Sequence, residues 1–347
     1  MQVSIGIFAH NEVKQIGRIL NSLAEQDLLA DARLRGMSVE IITLANGCTD
    51  STEAAADAAN ARLRKTHPDV SARTETILEA GKSNAWNIYV HRFSDPSADF
   101  LIFMDADITL IGSHTLRSLV EALLEDQTGK ISVDYIFKDL ALRTRQSFIE
   151  RASLSATRLN QTGPIKLAGS LYCARAEVVR RVWMPKGLLV EDGFLKAMVT
   201  TEHFTKPEKL GHLVRAPDAA HTFHAVTNLR CLIRHEVRLL IGTWMNILLF
   251  EHLQTRVAKT DQPAGALIHA WNQASPDWFQ SLLNTAPTMR GFQRFSLSVA
   301  TLPFRQVLRS DGPCDLKRLL TALFRCVFTC CALVLARNLI RRRLYNW

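Results

Sequence analysis

Phe100-Leu101-Ile102-Phe103-Met104-Asp105-Ala106-Asp107 sets five large apolar residues directly before two aspartates one residue apart. An apolar run of this length reads as a strand buried on both faces. Its end then lies at the rim of a sheet, where open α/β folds bind ligands. No basic residue stands close by in sequence to neutralise either Asp105 or Asp107. Two carboxylates without partners suit a hard cation such as Mg²⁺ or Mn²⁺, its shell usually completed by substrate phosphates. The plainer reading is a strand ending in an Asx turn, where aspartate is common in any case.

Upstream, Val3, Ile5 and Ile7 alternate with small residues and mark a first strand. Asn11 is then placed to cap a helix whose apolar residues fall at Ile16, Ile19, Leu20 and Leu23. Val39–Leu44 reads as a second strand, followed by a turn and an Ala-rich helix capped by Asp50, Ser51 or Thr52. Thr74–Leu78 is a third strand, and a helix from Ser83 or Asn84 leads into the aspartate strand. Strand and helix alternating in this way argue for an α/β protein with a parallel sheet covered on both faces. Right-handed crossovers bring Asn11-Glu12, Asn46, Asp50, Gly81-Lys82 and Asp105-Asp107 to one sheet edge. Neither GxGxxG nor GxxxxGK[ST] stands where a dinucleotide or Walker-type site needs it.

Downstream, Leu116, Leu119, Val120 and Leu123 mark a helix, and Ile131–Phe137 a strand. Residues 138–162 read as helical, and Lys166–Ala174 as a strand with a short helix after it. Leu188-Leu189-Val190 then approaches a second acidic pair, Glu191-Asp192, with helical spacing resuming at Phe194, Leu195 and Met198. Read plainly, that pair is an N-cap favoured by the helix dipole.

Net charge is +9, with Arg337, Arg341, Arg342 and Arg343 gathered near the end of the chain. A basic excess of this size is compatible with a phosphorylated substrate or anionic lipid. Aromatic and basic residues do not alternate as on a nucleic-acid platform, which argues against that class. Seven cysteines without paired spacing read as reduced structural thiols. Met1-Gln2 runs directly into a strand with no charged leader, so the expectation is a cytoplasmic catalytic part.

The blocks IGIFAHNE, TLANGCTDST, GKSNAWN, FMDAD, Gly169-Ser170 and VEDG, in that order over roughly residues 3–240, resemble the family 2 glycosyltransferases. The resemblance implies a GT-A (Rossmann-like) fold and an inverting transfer from a nucleotide-diphospho-sugar, a UDP-sugar by preference, assisted by a divalent metal. By match, Asp105-Ala106-Asp107 is similar to the family's DxD motif, with Asp107 as metal ligand and Asp105 partnering ribose or metal. Glu191-Asp192 is similar to its catalytic acidic pair, Asp192 serving as general base. Ala9, Asn11, Glu12, Asn46 and Asp50 would line the nucleoside pocket, with Gly81, Lys82 and Asn84 beside it. His221 and His224 are two candidates for a further metal ligand, with a slight preference for His224.

Two departures from the family pattern matter. Asn46 stands where many members carry Asp, and only Arg238 remains of the processive synthases' Gln-x-x-Arg-Trp block. Polymer synthesis is therefore not expected, although Arg238 could still neutralise a diphosphate. The expected division is a catalytic domain over 1–230 and a helical extension over 231–347. In the extension, Leu239–Phe250 is too short to span a bilayer. Leu319–Ala336 is long enough but carries Arg325, which costs about 2.5–3.5 kcal/mol at a span's centre. An interfacial or C-terminal anchor on the cytoplasmic face of the inner membrane, and with it a lipid-linked or membrane-derived acceptor, is the expectation. A buried C-terminal helix with a solvated basic face is its competitor. Competing functions are a non-catalytic, membrane-associated nucleotide-binding protein and a sugar nucleotidylyltransferase, whose Gly-rich loop His10-Asn11-Glu12-Val13 does not resemble.

Overall fold

The computed structural model describes residues 1–30, 36–139, 165–223, 228–285 and 316–342, together with 292, 295, 296 and 298–302. The expected helix over 138–162 and His224 thus fall wholly or almost wholly outside the described residues. In chain order the elements begin with β1 (Gln2–Ala9), α1 (Ile16–Ala24), α2 (Asp27–Ala30), β2 (Ser38–Asn46), α3 (Thr52–Thr66) and β3 (Ser71–Ile77). There follow α4 (Lys82–Ile88), running on into a π-helical turn (Tyr89–Phe93), then β4 (Phe100–Asp105), β5 (Ile108–Leu110), α5 (Thr115–Glu125) and β6 (Ile131–Lys138). Then come β7 (Leu171–Arg175), α6 (Ala176–Val179), α7 (Glu191–Thr200) and β8 (Leu213–Phe223). The C-terminal part is helical: α8 (Leu229–Thr260), α9 (Ala264–Ala274), α10 (Trp278–Thr285) and α11 (Leu316–Arg341).

The strands form one eight-stranded sheet in the order β3-β2-β1-β4-β7-β6-β8-β5. Its first four strands are parallel, as the βα alternation requires, and β6 also runs parallel to β8. Strand β7 enters antiparallel between β4 and β6, and β5 closes the edge antiparallel to β8. The β4 strand is buried on both faces, as its composition indicated. Leu101 and Phe103 belong to one core, whereas Phe100, Ile102 and Met104 belong to the other.

The second core holds α1, α3 and α5 against the sheet, and all four expected apolar residues of α1 are buried. The first core lies under α4, α7 and α8 and is built on aromatic rings. Phe103 stacks on Tyr172 at 4.5 Å, and Trp86 Nε1 donates to the Tyr172 hydroxyl at 2.8 Å. The Tyr89 ring lies flat on β1 because Gly6 has no side chain; a Cβ there would stand 2.7 Å from the ring.

Two readings are corrected by the tertiary structure. Asn11 does not cap α1, whose N-cap is Gln15 and carries no side-chain cap. Asn11 instead takes a left-handed backbone (φ 58°), which Asn tolerates better than most residues. Its Oδ1 accepts from the Thr49 N–H and hydroxyl, tying the loop after β1 to the loop after β2. Leu239–Phe250 is the middle of a 32-residue helix, not a short element of its own. Its polar flanks hid that length from a reading based on apolar runs.

The last helix divides between the two readings of its sequence. Ala322, Ala332, Leu333, Ala336 and Ile340 are buried, and α11 packs on α8. Leu320, Leu323, Phe324, Val327 and Val334 remain more than half exposed, ahead of the exposed Arg341 and Arg342. Ala322–Arg341 is long and apolar enough to cross a membrane, with mean hydropathy 1.8 and 28% of its most apolar stretch buried. Length and composition of this kind are shared with core helices of soluble proteins.

Candidate active site

Parallel strands deliver the loops after β1, β2 and β4 to one edge, where they open a cleft of about 700 Å³. Ala9, Glu12, Asn46, Lys82, Asp105, Ala106, Asp107, Glu191, Asp192 and Arg238 all line it. Asn11, Asp50, Gly81 and Asn84 do not; they shape the loops behind it. Asp50 accepts from the Thr52 N–H and hydroxyl, which hold its carboxyl below the usual range. The Thr52 hydroxyl oxygen in turn accepts from the Glu12 N–H at 2.7 Å, so Asp50 fixes Glu12 through one intermediate. Gly81 turns the chain into α4 with φ +144°, and Asn84 Nδ2 closes that turn on the Glu79 carbonyl at 3.2 Å.

The two acidic clusters meet across this cleft, joined by a cation that sequence proximity did not reveal. Lys82, first residue of α4, places Nζ 2.7 Å from Asp105, 3.1 Å from Glu191 and 3.1 Å from the Gly169 carbonyl. Asp105 is therefore not a bare carboxylate. The pairing partner lies 23 residues earlier and reaches β4 only through the fold. Burial opposes the charge on Lys82, but Asp105 and Glu191 outweigh it and hold the ammonium above its ordinary range. Burial pushes the Asp105 carboxyl up in spite of Lys82, with Asp107 and Glu191 adding to the rise. Gly169 makes the junction possible, since a Cβ there would stand 2.9 Å from Glu191 Oε1.

Asp107 is different. It is exposed to the cleft and makes no side-chain hydrogen bond or ion pair among the described residues. Beside it the Glu12 carboxyl is raised, first by burial and then by Asp107, Asp50 and Asp105. Such an excess of neighbouring carboxylate charge is what a hard cation relieves. Among the described residues, no three His, Cys, Asp or Glu side chains could hold an ion by themselves. The donor set therefore fits a divalent cation on Asp107, with phosphate and water oxygens for the rest of its shell.

Asp192 lies in the first turn of α7 and is half-buried. Burial and then Glu191 raise its carboxyl, against a hydrogen bond from the Gly193 backbone, the nearby Lys82 charge and a hydrogen bond from the Gly169 backbone. The approach to it is braced by α8: Asn246 Nδ2 donates to the Val190 carbonyl at 2.9 Å, and Arg238 to that of Leu189 at 3.2 Å. Asn46 Oδ1 is buried with no partner, a hydrogen-bond acceptor left available at the cleft wall.

His221 does not line the cleft. It is fully buried in β8, with Nδ1 2.6 Å from Asp134 Oδ2 and Nε2 3.0 Å from the Ser170 hydroxyl. Both ring nitrogens are occupied. This geometry stands against the metal-ligand expectation for His221 and makes it a support for Ser170. Lys138, Lys166, Arg215 and His235 also line the cleft, and sequence reasoning missed all four. Their only sequence signal was the basic excess itself.

Comparison with known proteins follows the same lines. No curated protein matches the chain significantly. The chain is similar to glucosyl-3-phosphoglycerate synthase from Mycobacterium tuberculosis in complex with phosphoglyceric acid, at 19% identity over 71% of this chain and 78% of that one, TM-score 0.48. It is also similar to that enzyme with Mn²⁺, UDP-glucose and phosphoglyceric acid, at 21% identity over 67% and 74%, TM-score 0.45. The sequence profile described as glycosyl transferase family 2 matches residues 4–179, just over half of the chain. That span holds the loops after β1, β2 and β4 and the Lys82–Asp105 pair, and it makes the protein a family 2 glycosyltransferase of the GT-A fold.

Proposed function

We propose that the protein is an inverting glycosyltransferase that moves a sugar from a nucleotide-diphospho-sugar to an acceptor hydroxyl, with Asp192 as general base. The observation that carries this reading is a division of labour in one cleft. Asp107 is a bare carboxylate beside an acid-crowded Glu12, whereas Asp192 is a desolvated one that faces the cleft and forms no ion pair among the described residues, the nearby Lys82 being engaged by Asp105 and Glu191. Asp107 would hold Mg²⁺ or Mn²⁺, which when bound neutralises charge developing on a departing diphosphate. Lys82 supports that role by keeping Asp105 and Glu191 in place. Asn46 and Ala9 stand where the nucleoside would lie, and the orphaned Asn46 oxygen is an acceptor for it. Asp192 takes the proton of the acceptor hydroxyl as that oxygen attacks. Its raised proton affinity makes it a stronger base than an ordinary aspartate.

The test is calorimetry with UDP and other nucleoside diphosphates, with and without Mn²⁺. The native protein binds one of them in a metal-dependent way, and Asp107→Ala weakens that binding by about 100-fold or more, removing a charged contact and its ion together. Equal binding by Asp107→Ala would remove the metal from Asp107.

The acceptor reading extends to the membrane. The exposed side of α11 offers Leu320, Leu323, Phe324 and Val327 and, nearer its basic C-terminal turn, Val334 and Leu335. Apolar area beside arginines suits an anionic lipid surface, each cation adding about 1 kcal/mol near it. A lipid-linked acceptor would then be presented in the plane where the enzyme rests. Flotation with anionic vesicles checks this: the native protein floats and Leu323→Ser/Phe324→Ser stays in the soluble fraction. Equal recovery of both in the soluble fraction would end the membrane reading.

A further inference from the structure

The cleft is lined both by carboxylates around Lys82 and by further basic side chains, and the proposed donor chemistry uses only the first group. The carboxylates lining it, Glu12, Asp105, Asp107, Glu191 and Asp192, gather around Lys82 and the rim of β4. Along the rest of the wall stand Lys138 at the end of β6, Arg215 on β8, Lys166 before β7, and His235 and Arg238 on α8. His235 and Arg238 are three residues apart and share a helix face.

Lys138, His235 and Arg238 are close enough to feel one another. The His235 imidazole is held below its ordinary value first by burial, then by Arg238 and Lys138, with no carboxylate among the causes. Arg215 donates to the Asp134 carbonyl and lies over the Tyr135 ring at 4.8 Å. Among the described residues neither Arg215 nor Arg238 pairs with a carboxylate. Two guanidinium groups left without a carboxylate in a partly desolvated wall are satisfied by an anion, to which the His235 imidazole N–H can also donate.

The position of this group matters as much as its charge. Arg238 donates to the Leu189 carbonyl, three residues before Asp192, so Arg238 stands on the base's side of the cleft, with His235 one helical turn from it. In an inverting transfer the acceptor hydroxyl lies between the base and the anomeric carbon, and the rest of the acceptor extends on the base's side. We infer that Arg238 and Arg215, with Lys138, His235 and Lys166 lining the same cleft, form a subsite for a phosphate group carried by the acceptor. Guanidinium and ammonium groups match phosphate oxygens in charge-assisted hydrogen bonds. The inference rests on the proposed transfer and assigns Arg238 to the acceptor rather than to the donor diphosphate. The phosphate could belong to a lipid headgroup or to a soluble phosphorylated acceptor. Ile136, Leu189 and Leu239, which also line the cleft, would favour the first.

Calorimetry on the full chain, with UDP and Mn²⁺ saturating, tests the assignment with two probes that share one headgroup: glycerol 3-phosphate and dihexanoyl phosphatidic acid. The native protein binds at least one of them saturably. Lys138→Gln and Arg238→Gln each weaken that binding about tenfold or more, as loss of one charge-assisted contact requires. Affinity for UDP with Mn²⁺ stays within about twofold, which also reports that each variant is folded. Tighter binding of the dihexanoyl probe identifies a lipid-borne phosphate; equal binding identifies a soluble one. No binding of either probe, binding unaltered in both variants, or a parallel fall in UDP affinity would overturn the subsite. Failure of the native protein to bind any nucleoside diphosphate would instead overturn the transfer reading, and the phosphate titration without nucleotide would still be informative.

Discussion

Asp192→Asn lowers the turnover rate by about 10²–10⁴-fold, the range that removal of a positioned general base produces. Affinity for the nucleoside diphosphate stays within about twofold, because the proposed base acts on the acceptor and not on the donor. The pH profile carries a second signature. Only the carboxylate form accepts a proton, so the rate rises with pH through the folded pKa of Asp192. Burial and Glu191 raise that pKa, so the acidic limb of the native profile lies above where an ordinary aspartate would put it. Stability moves in the other direction. A carboxyl whose folded pKa is raised costs the folded state at neutral pH, and the cost disappears as pH falls below that pKa. Asp192→Asn removes it, so the Tm of the variant at pH 7 is no lower than native. Substantial turnover in Asp192→Asn, at an unchanged pH optimum, would take the base role away from Asp192.

Lys82→Met strikes the fold and the site together. It keeps the length of the side chain and deletes the cation between Asp105 and Glu191. Breaking a buried ion pair by removing one partner costs about 3–5 kcal/mol, because the remaining charge is left uncompensated. Lys82 keeps about a quarter of its surface, so a loss near the lower end, about 3 kcal/mol, is expected in denaturant unfolding at pH 7. The sign of the pH dependence is fixed by the orphaned carboxylates. Without Lys82 their folded pKa values rise, so the deficit is largest above that range and shrinks as the pH falls and they take up protons. Turnover falls as well, since Asp105 and the Asp192 loop lose their common anchor. Equal stability of native and variant at pH 7 and pH 5 would show that Lys82 is dispensable to the junction.

Much of the catalytic sheet was legible in the residues. Regular alternation in β1 and the unbroken apolar run of β4 reported strands buried on one or both faces, and helical spacing located α1 and α5. The acidic blocks were legible as separate motifs. Their relation to each other was not, because Lys82 reaches Asp105 and Glu191 across 23 and 109 residues of chain. Asn11 misled for a similar reason: a cap and a loop tie use the same side-chain oxygen, and only the position of Thr49 distinguishes them. His221 looked like a ligand until burial showed both of its nitrogens engaged.

By itself the sequence determined strands β1–β4, β6 and β7 and helices α1 and α3–α7, that the first of them alternate, and which residue types would crowd one sheet edge. Those properties follow from local periodicity and backbone preference, which act over a few residues. Tertiary structure alone decided which carboxylate is neutralised and which is left bare, that five basic side chains from β6, β8, α8 and the segment before β7 line one cleft, and which side of α11 is covered. Charge pairing and desolvation depend on distances between atoms far apart in the chain, and no local pattern of residues encodes them.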